Sequence, residues 1–549
     1  MFFFFLKVII TVSFYLVLGK LTVFKILKYE NNNSIDYSII GIISVSIIAL
    51  IVNFILPLNL FINSIFFFIF FIIFFIFKQK LENLDYLFIL VVSLLTFLII
   101  LFDNEFRPDA GLYHLPYIQI LNENNILLGL VNVHSRFGHI SIIQYLSAFN
   151  LNIFTNKIGI IIPSAIIFSL IYLYFLNDIY KFIKKKDKFS LGKIFSIFIL
   201  IYISYKINRY SEFGNDAPAH LLFFYLISKF IYFEKNSFKT AHNLYLYSAY
   251  LFLNKVFFIF TFILPIYFVI KNKKLFFKLS KSIPSFILFF WILKNILISG
   301  CILFPMKISC FSSLQWTNIE LTEKSELEAD AWTKAWPQNL DKELSMKEFI
   351  KNFKWLDAWT SVHFKYITKL LLPYLIFITL ILIYTINVKK KSFNNLITNE
   401  KYFYLLLLSI IGVAGFFLKF SIYRYGYSYL IIFIFMISFW SFKFINKEKF
   451  LNICKIILPL SLVVIFSKQL LRYQKNYNKI NYVPNHIFID EEKHDEKYNK
   501  IILSNNFPVY YSKTECFYGL SPCTNYRYGA DNKEIKHKKK LIFNIIYPK

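Results

Sequence analysis

Runs of about 17 to 25 apolar residues, the length that crosses a hydrocarbon core, alternate along this chain with short polar interruptions. The pattern predicts helical spans near residues 2–19, 38–56, 59–77, 84–102, 157–180, 189–206, 217–233, 243–254, 256–270, 283–300, 366–386, 402–420, 428–443 and 451–468, about fourteen in all. The first stretch, MFFFFLKVIITVSFYLVLG, lacks a basic segment before its apolar run and a small-residue cleavage site. It therefore reads as a retained helix and not as a secretory signal.

The interruptions differ in kind. Lysine clusters at 20–28, 78–80, 181–193, 271–281, 389–391 and 443–449 fall between alternate spans, so all lie on one face, and that face is the cytoplasmic one. The other face receives residues 103–155, 207–216, 301–365, 421–427 and the tail from 469. Between two lysine clusters, residues 243–270 must go out and back in a length too short for two full spans, turning near Asn254 and Lys255. A broken or re-entrant pair follows, which is tolerated where it lines protein or a watery cavity. Residues 115–155 stay outside, and their mixed pattern suits helices lying in the interface plane. Lys294, within an apolar run, is expected to snorkel to the interface. The loop 301–365 is charged and helix-prone and carries Trp316, Trp332, Trp336, Trp355 and Trp359, residues suited to a headgroup-depth belt or to stacking on sugars. The tail, polar and Tyr-rich with scattered prolines, predicts short strands and turns. The resulting division is 1–83, N-terminal membrane helices; 84–300, a membrane core with an outer loop; 301–365, an extracytoplasmic loop; 366–468, C-terminal membrane helices; and 469–549, an extracytoplasmic tail.

Composition supports this all-α polytopic reading: 57% of the residues are hydrophobic and the mean hydropathy is +0.54, too apolar for a soluble globular protein. A net charge of +29 raises the question of nucleic acid, but the cations are clustered between spans and not along one face, so no nucleic-acid partner is expected. Only six of the 61 basic residues are arginine (Arg107, Arg136, Arg209, Arg424, Arg472 and Arg527), and all six fall on the outer face. That reverses the usual charge bias and favours an anionic ligand there, because the guanidinium fork binds phosphate or carboxylate bidentately. Cys301 and Cys310, and Cys516 and Cys523, are close in sequence on the predicted oxidising side; each pair is either a short-loop disulfide or two free thiols.

Candidate chemistry concentrates at 103–144, where Asp103, Glu105, Arg107, Asp109, His114, His134, Arg136 and His139 lie within about forty residues. An ionisable group at membrane depth costs roughly 2.5 kcal/mol or more, so such a cluster at a boundary is a functional-site candidate, with a solvated loop as the alternative. Asp109 either accepts a proton from a sugar hydroxyl or caps the next helix. A second constellation holds Asn215, Asp216 and His220, with capping again the rival for Asp216. The two Asp–His pairs could bind a divalent cation, although no spacing demands one; no metal site and no cofactor is assigned. Lys255, at the turn of the short excursion, and Arg424, set among tyrosines, are candidates for a lipid phosphate.

An acidic residue in the first large outer loop, a following Tyr113-His114, broken outer helices, about a dozen spans and a polar outer C-terminal segment resemble the GT-C superfamily of membrane glycosyltransferases. More narrowly, GLYHLPYIQ, SRFGHISIIQYLSA, GNDAPAH and KNILISGCILFP resemble an uncharacterised family of polytopic proteins from bacterial surface-polysaccharide gene clusters, over residues 84–310 and only loosely beyond. In place of the usual paired acidic motif this chain has Asp109 alone, with Asp103 and Glu105 shortly before it. The resemblance implies a GT-C-like core in a bacterial inner membrane and transfer of a sugar, with inversion, from a polyprenyl-phosphate-linked donor to a glycan or lipid-linked acceptor. Asp109 and His114 would then be catalytic. Arg107, Arg136, His139, Asn215, Asp216, His220, Lys255 and Arg424 would bind substrate. A lipid-linked oligosaccharide flippase, an assembly scaffold, or an O-antigen or capsule polymerase or ligase is the alternative.

Overall fold

A computed structural model describes residues 1–28, 33–76, 81–102, 108–206, 214–234, 236–339, 343–386, 399–476, 497–525 and 535–548. Helices occupy every apolar stretch predicted above. The first four are α1 (Phe2–Leu21), α2 (Ser34–Asn53), α3 (Leu60–Ile76) and α4 (Asn83–Ile100). Two short helices, α5 (Leu115–Glu123) and α6 (Ile142–Phe149), precede α7 (Ile162–Ile183), α8 (Leu191–Lys206), α9 (Asp216–Tyr232) and α10 (Phe238–Asn254). A 3-10 segment, Val256–Phe262, leads into α11 (Ile263–Lys271), then α12 (Lys274–Ser280) and α13 (Ile283–Ser299). The large loop carries α14 (Ile319–Thr333), α15 (Met346–Ile350) and α16 (Leu356–Trp359), followed by α17 (Lys365–Thr385), α18 (Asn399–Leu418), α19 (Tyr423–Ile437), α20 (Phe439–Phe442) and α21 (Lys447–Asn476). The tail forms β1 (Tyr498–Ile502), β2 (Pro508–Ser512) and β3 (Cys523–Asn525) in one sheet and a hairpin of β4 (Ile535–Lys540) and β5 (Phe543–Pro548).

Among the described residues, seven helical stretches are long and apolar enough to cross a membrane: 2–27, 34–53, 83–100, 156–183, 356–385, 400–418 and 447–476. The α12–α13 pair, bent by 50°, makes an eighth if counted as one span. The chain is thus a multi-pass helical membrane protein. α8 and α9 are apolar and buried almost throughout, as expected of helices at the centre of a bundle, whereas α3, α4, α17 and α21 leave large side chains such as Phe68, Phe75, Leu87, Leu380 and Val463 exposed. α1 and α2 are held in backbone contact by Gly19 and Gly41: a Cβ on Gly19 would stand 1.7 Å from the Tyr37 carbonyl oxygen. Small residues at a helix crossing allow that approach.

Contacts between helix ends sort them into two sets. At the lysine-rich end, Lys229 pairs with Asp36 (2.7 Å), Lys193 with Asp178 (2.7 Å) and Asp187 (2.6 Å), Lys20 with Asp85, and Lys271 with Glu400. At the loop end, Asn53 Nδ2 donates to the Asn124 carbonyl (3.0 Å) and Ser141 Oγ to Asn254 Oδ1 (2.6 Å). There α21 also caps two earlier helices. Lys468 donates to the Ser204 and Tyr205 carbonyls at the end of α8, the latter at 2.8 Å, and Arg472 Nη1 donates to the Ile99 carbonyl of α4 at 3.3 Å. Cations on the last carbonyls of a helix complement its dipole.

Several expectations are revised. α5 and α6 do not lie exposed in the interface plane: nearly every residue of both is buried, under the tail and against helix ends, with Asn122 donating to the Ala148 carbonyl (2.9 Å) and receiving the Tyr518 hydroxyl (3.1 Å). α21 continues to Asn476, so the tail begins later than residue 469. Trp355 and Trp359 are buried and not in a belt, because the large loop folds back on α18, where both rings meet Phe417. Lys294 does not snorkel. It is 0% exposed, on a helix packed against α2 and α10, with its ammonium 3.7 Å from the centre of the Trp291 ring.

Candidate functional site

Four charged side chains from four parts of the chain meet at the loop end. Asp109 sits just ahead of α5, at a π-turn over Ala110–His114; turns of this kind recur at functional sites. Its side chain makes no capping hydrogen bond, so the capping alternative is not the conformation present. It instead meets Arg424 Nη2 at 3.3 Å. Arg424, in the first turn of α19, turns its Nε towards Asp216 Oδ2 at 3.2 Å, and the other oxygen of Asp216 lies 2.6 Å from Lys255 Nζ. Asp216 is the first residue of α9, and it is Asn215 that occupies the cap position, without a side-chain capping bond. The result is a chain of alternating charge, Asp109–Arg424–Asp216–Lys255. Its members are 18–36% exposed at the side chain, so they border solvent without lying open to it.

Aromatic and neutral polar groups fix these charges. Lys255 ends α10, where the backbone turns to extended geometry before the 3-10 segment, and its Nζ stands 4.7 Å from the centre of the Tyr425 ring. Tyr425 in turn stacks on Phe257, with centroids 5.1 Å apart and planes 11° from parallel. A cation on an aromatic face gains electrostatic stabilisation beyond its ion pair. His220, one turn into α9, donates from Nε2 to the Arg424 carbonyl at 2.9 Å, while its Nδ1 meets the Ser428 hydroxyl. It joins α9 to α19 and so sets where Arg424 begins.

His114 is held in one tautomer. Gln144 Oε1 is committed to the Ser141 amide at 2.7 Å, so its NH2 group faces His114 Nδ1 and donates to it. The imidazole proton therefore resides on Nε2. Burial lowers the His114 pKa to about 4, against the opposing pull of Asp109, so the ring is neutral near pH 7. His134 is lowered to about 3 by burial and by Arg136, and its Nδ1 accepts the Arg136 amide at 3.0 Å.

The structure therefore brings Asp109, Asp216, Lys255 and Arg424 into direct contact, with His220 bonded to the Arg424 backbone. His114 interacts electrostatically with all four charges. Arg136 and His139 adjoin the cluster: Arg136 acts on Tyr113, which also feels Asp109 and Arg424, and His139 feels Arg136 and Lys255. Asn215 is buried beside Asp216, with its Oδ1 lacking a hydrogen-bond partner. Arg107, Asp103, Glu105 and Arg209 lie outside the described residues. Among the described residues no three His, Cys, Asp or Glu side chains group so as to hold a metal ion. Tyr113, Gln144, Asn254 and Tyr425 belong to the site without having been assigned to it from sequence. Two disulfides, Cys301–Cys310 and Cys516–Cys523, lie in the loop and the tail, and Cys454 is a buried free thiol.

Residues 1–431 match a family described as a domain of unknown function (DUF8201), and the chain belongs to that family. The match includes all four charged residues of the network and stops short of α20, α21 and the tail. No curated protein and no solved structure matches the chain.

Proposed function

We propose that this protein is a glycosyltransferase of the bacterial inner membrane with a GT-C-like core of about fourteen passes. It would move a sugar from a polyprenyl-phosphate-linked donor to a glycan or lipid-linked acceptor at the outer face. The observation that carries this reading is the Asp109–Arg424–Asp216–Lys255 chain at the loop end, where carboxylates suited to proton abstraction adjoin two cations suited to phosphate. The resemblance of GLYHLPYIQ and GNDAPAH to proteins of surface-polysaccharide clusters supports the substrate class.

In this scheme the donor phosphate competes for Arg424 and Lys255. Its arrival loosens the grip of Arg424 on Asp109 and leaves that carboxylate free to take the proton of the acceptor hydroxyl. The hydroxyl oxygen attacks the anomeric carbon from the face opposite the leaving phosphate, which inverts the centre and departs with the bonding electrons. His114, neutral and with its proton on Nε2, can donate a hydrogen bond to a phosphate or sugar oxygen without adding charge. His220 positions Arg424. Replacing Asp109 by Asn tests the scheme, because a general base contributes on the order of 10²–10⁴ in rate. Normal expression with a surface glycan unchanged in amount and composition would sink it.

A second reading has a specific observation in its favour: the two acids and two bases of the network neutralise one another, as in a purely structural latch between helix ends. Under it the protein would be a scaffold or lipid-linked oligosaccharide flippase of the assembly machinery, or the chemistry would be that of a polymerase or ligase placed elsewhere. Neutralising the pair, Asp109→Asn with Arg424→Gln, separates the two readings, because it leaves Asp216 paired with Lys255. A latch keeps its glycan output in the neutral pair and a catalytic pair does not.

A further inference from the structure

The β4–β5 hairpin places an apolar tip at the level where the helices end. Its turn residues, Leu541 and Ile542, are 85% and 50% exposed, and Lys539 and Lys540 are exposed beside them. The hairpin is docked at a definite depth. Leu128 continues its sheet as a parallel bridge to Ile545, with the Ile546 amide donating to the Leu128 carbonyl at 2.8 Å. Gly129, whose Cβ would stand 1.9 Å from the Ile546 carbonyl oxygen, donates its amide to the Leu297 carbonyl in the last turn of α13 at 2.9 Å. The tip itself is tied down: Asn125 Nδ2 donates to the Ile542 carbonyl at 3.0 Å, and the neighbouring Ile126 amide donates to the Asn53 carbonyl at the end of α2 at 2.8 Å.

The neighbourhood of the tip is apolar. Just past Asn53 at the end of α2, Ile55 and Leu56 are 64% and 41% exposed. An apolar turn with 85% exposure has no solvent-side reason to be apolar, whereas one flanked by lysines at a membrane boundary matches the headgroup layer in both polarity and charge. The geometry points to the β4–β5 hairpin as an interfacial anchor: Leu541 and Ile542 enter the headgroup layer of the membrane that carries the helices, and Lys539 and Lys540 hold anionic lipid phosphates there. The anchor fixes the tail over α5 and the outer loop independently of any chemistry at Asp109.

The test uses the full chain in lipid nanodiscs of phosphatidylcholine, with and without phosphatidylglycerol. Four of the five native cysteines are in disulfides and Cys454 is buried, so a thiol introduced by Leu541→Cys can be labelled selectively with an environment-sensitive dye. The dye at 541 is expected to be quenched by lipids carrying a spin label near the headgroup and shielded from iodide, while a dye placed by Lys513→Cys, on the exposed side of the same tail, should behave oppositely. Adding Lys539→Glu and Lys540→Glu should weaken lipid quenching about threefold in the discs with phosphatidylglycerol and little in those without. Iodide quenching at 541 equal to that at 513 would overturn the proposal. So would shielding from both quenchers, which would place a protein surface or a second copy over the tip.

Discussion

Arg424 stands 3.3 Å from Asp109, a residue 315 positions earlier, and its Nε is turned to Asp216 at 3.2 Å. One guanidinium thus ties the entry to α5, the start of α9 and the first turn of α19 into a single unit. Lysine cannot address two carboxylates along two fork directions in the same way. Arg424→Lys should therefore release one of the two acids and lower stability by about 1.5–3 kcal/mol, the range for hydrogen bonds to charged groups. Thermal denaturation in detergent measures this. An unchanged midpoint would show that the fork does not hold the helix ends.

Neutralising the pair is the sharper experiment for function. The variant carrying Asp109→Asn and Arg424→Gln keeps Asp216 on Lys255 and should lose less stability than the two single changes summed, while glycan output stays at the level of Asp109→Asn. Normal glycan output in the neutral pair would favour the latch.

Acidification should loosen the outer layer. His114 and His134 are buried with pKa values of about 4 and about 3, below the ordinary 6.5 of an unfolded histidine. The unfolded chain therefore binds protons first as pH falls, and stability supplied by the neutral rings is present above about 6.5 and lost progressively towards pH 4. By pH 5 each histidine should cost about 2 kcal/mol. The midpoint of thermal unfolding followed from pH 7.5 to 5 checks it, and His134→Gln should flatten the slope.

Thiol counting tests the cross-links. Denatured without reductant, the chain should take up alkylating reagent at Cys454 alone, and after reduction at all five cysteines. Uptake at five before reduction would remove both disulfides.

Topology is open to fusion reporters. Fusions after Lys186 and Lys274, in the lysine-rich end, should report cytoplasm, and one after Ser313, beyond the Cys301–Cys310 bridge, should report export. A cytoplasmic signal at Ser313 would invert the assignment of the two ends.

Much of this architecture is legible in the sequence because apolar runs dictate helices wherever the solvent is lipid. The charged members of the site are legible for a related reason: Asp109, Asp216, Lys255 and Arg424 interrupt apolar surroundings in which a charge needs a reason. Their pairing is not legible, since Arg424 meets Asp109 across 315 residues and helix periodicity speaks only of neighbours three or four apart. Tyr425 and Gln144 escaped for want of contrast. With 38 tyrosines in the chain, a single one carries no signal, and a neutral amide matters only once Ser141 fixes which of its ends faces His114. The protein cover over α5 and α6 is not legible, because an amphipathic pattern records a polar face but not whether water or another protein layer covers it. Lys294 shows the same limit, as its burial against Trp291 depends on which way α13 is turned.

The caps that α21 supplies to earlier helices impose an order of events on a newly made chain. The carbonyls of Ile99 and Ser204 end the helices that lead towards Asp109 and Asp216, and their partners, Arg472 and Lys468, are synthesised 373 and 264 residues later. At about 5–20 residues per second, the wait for Arg472 is roughly 20–75 s. Through that interval the last turns of α4 and α8 lack these cationic caps, although all four charged residues of the cluster are made before α21. A nascent chain halted before α21 would carry all four charged residues of the network, yet lack the cations that hold the ends of α4 and α8.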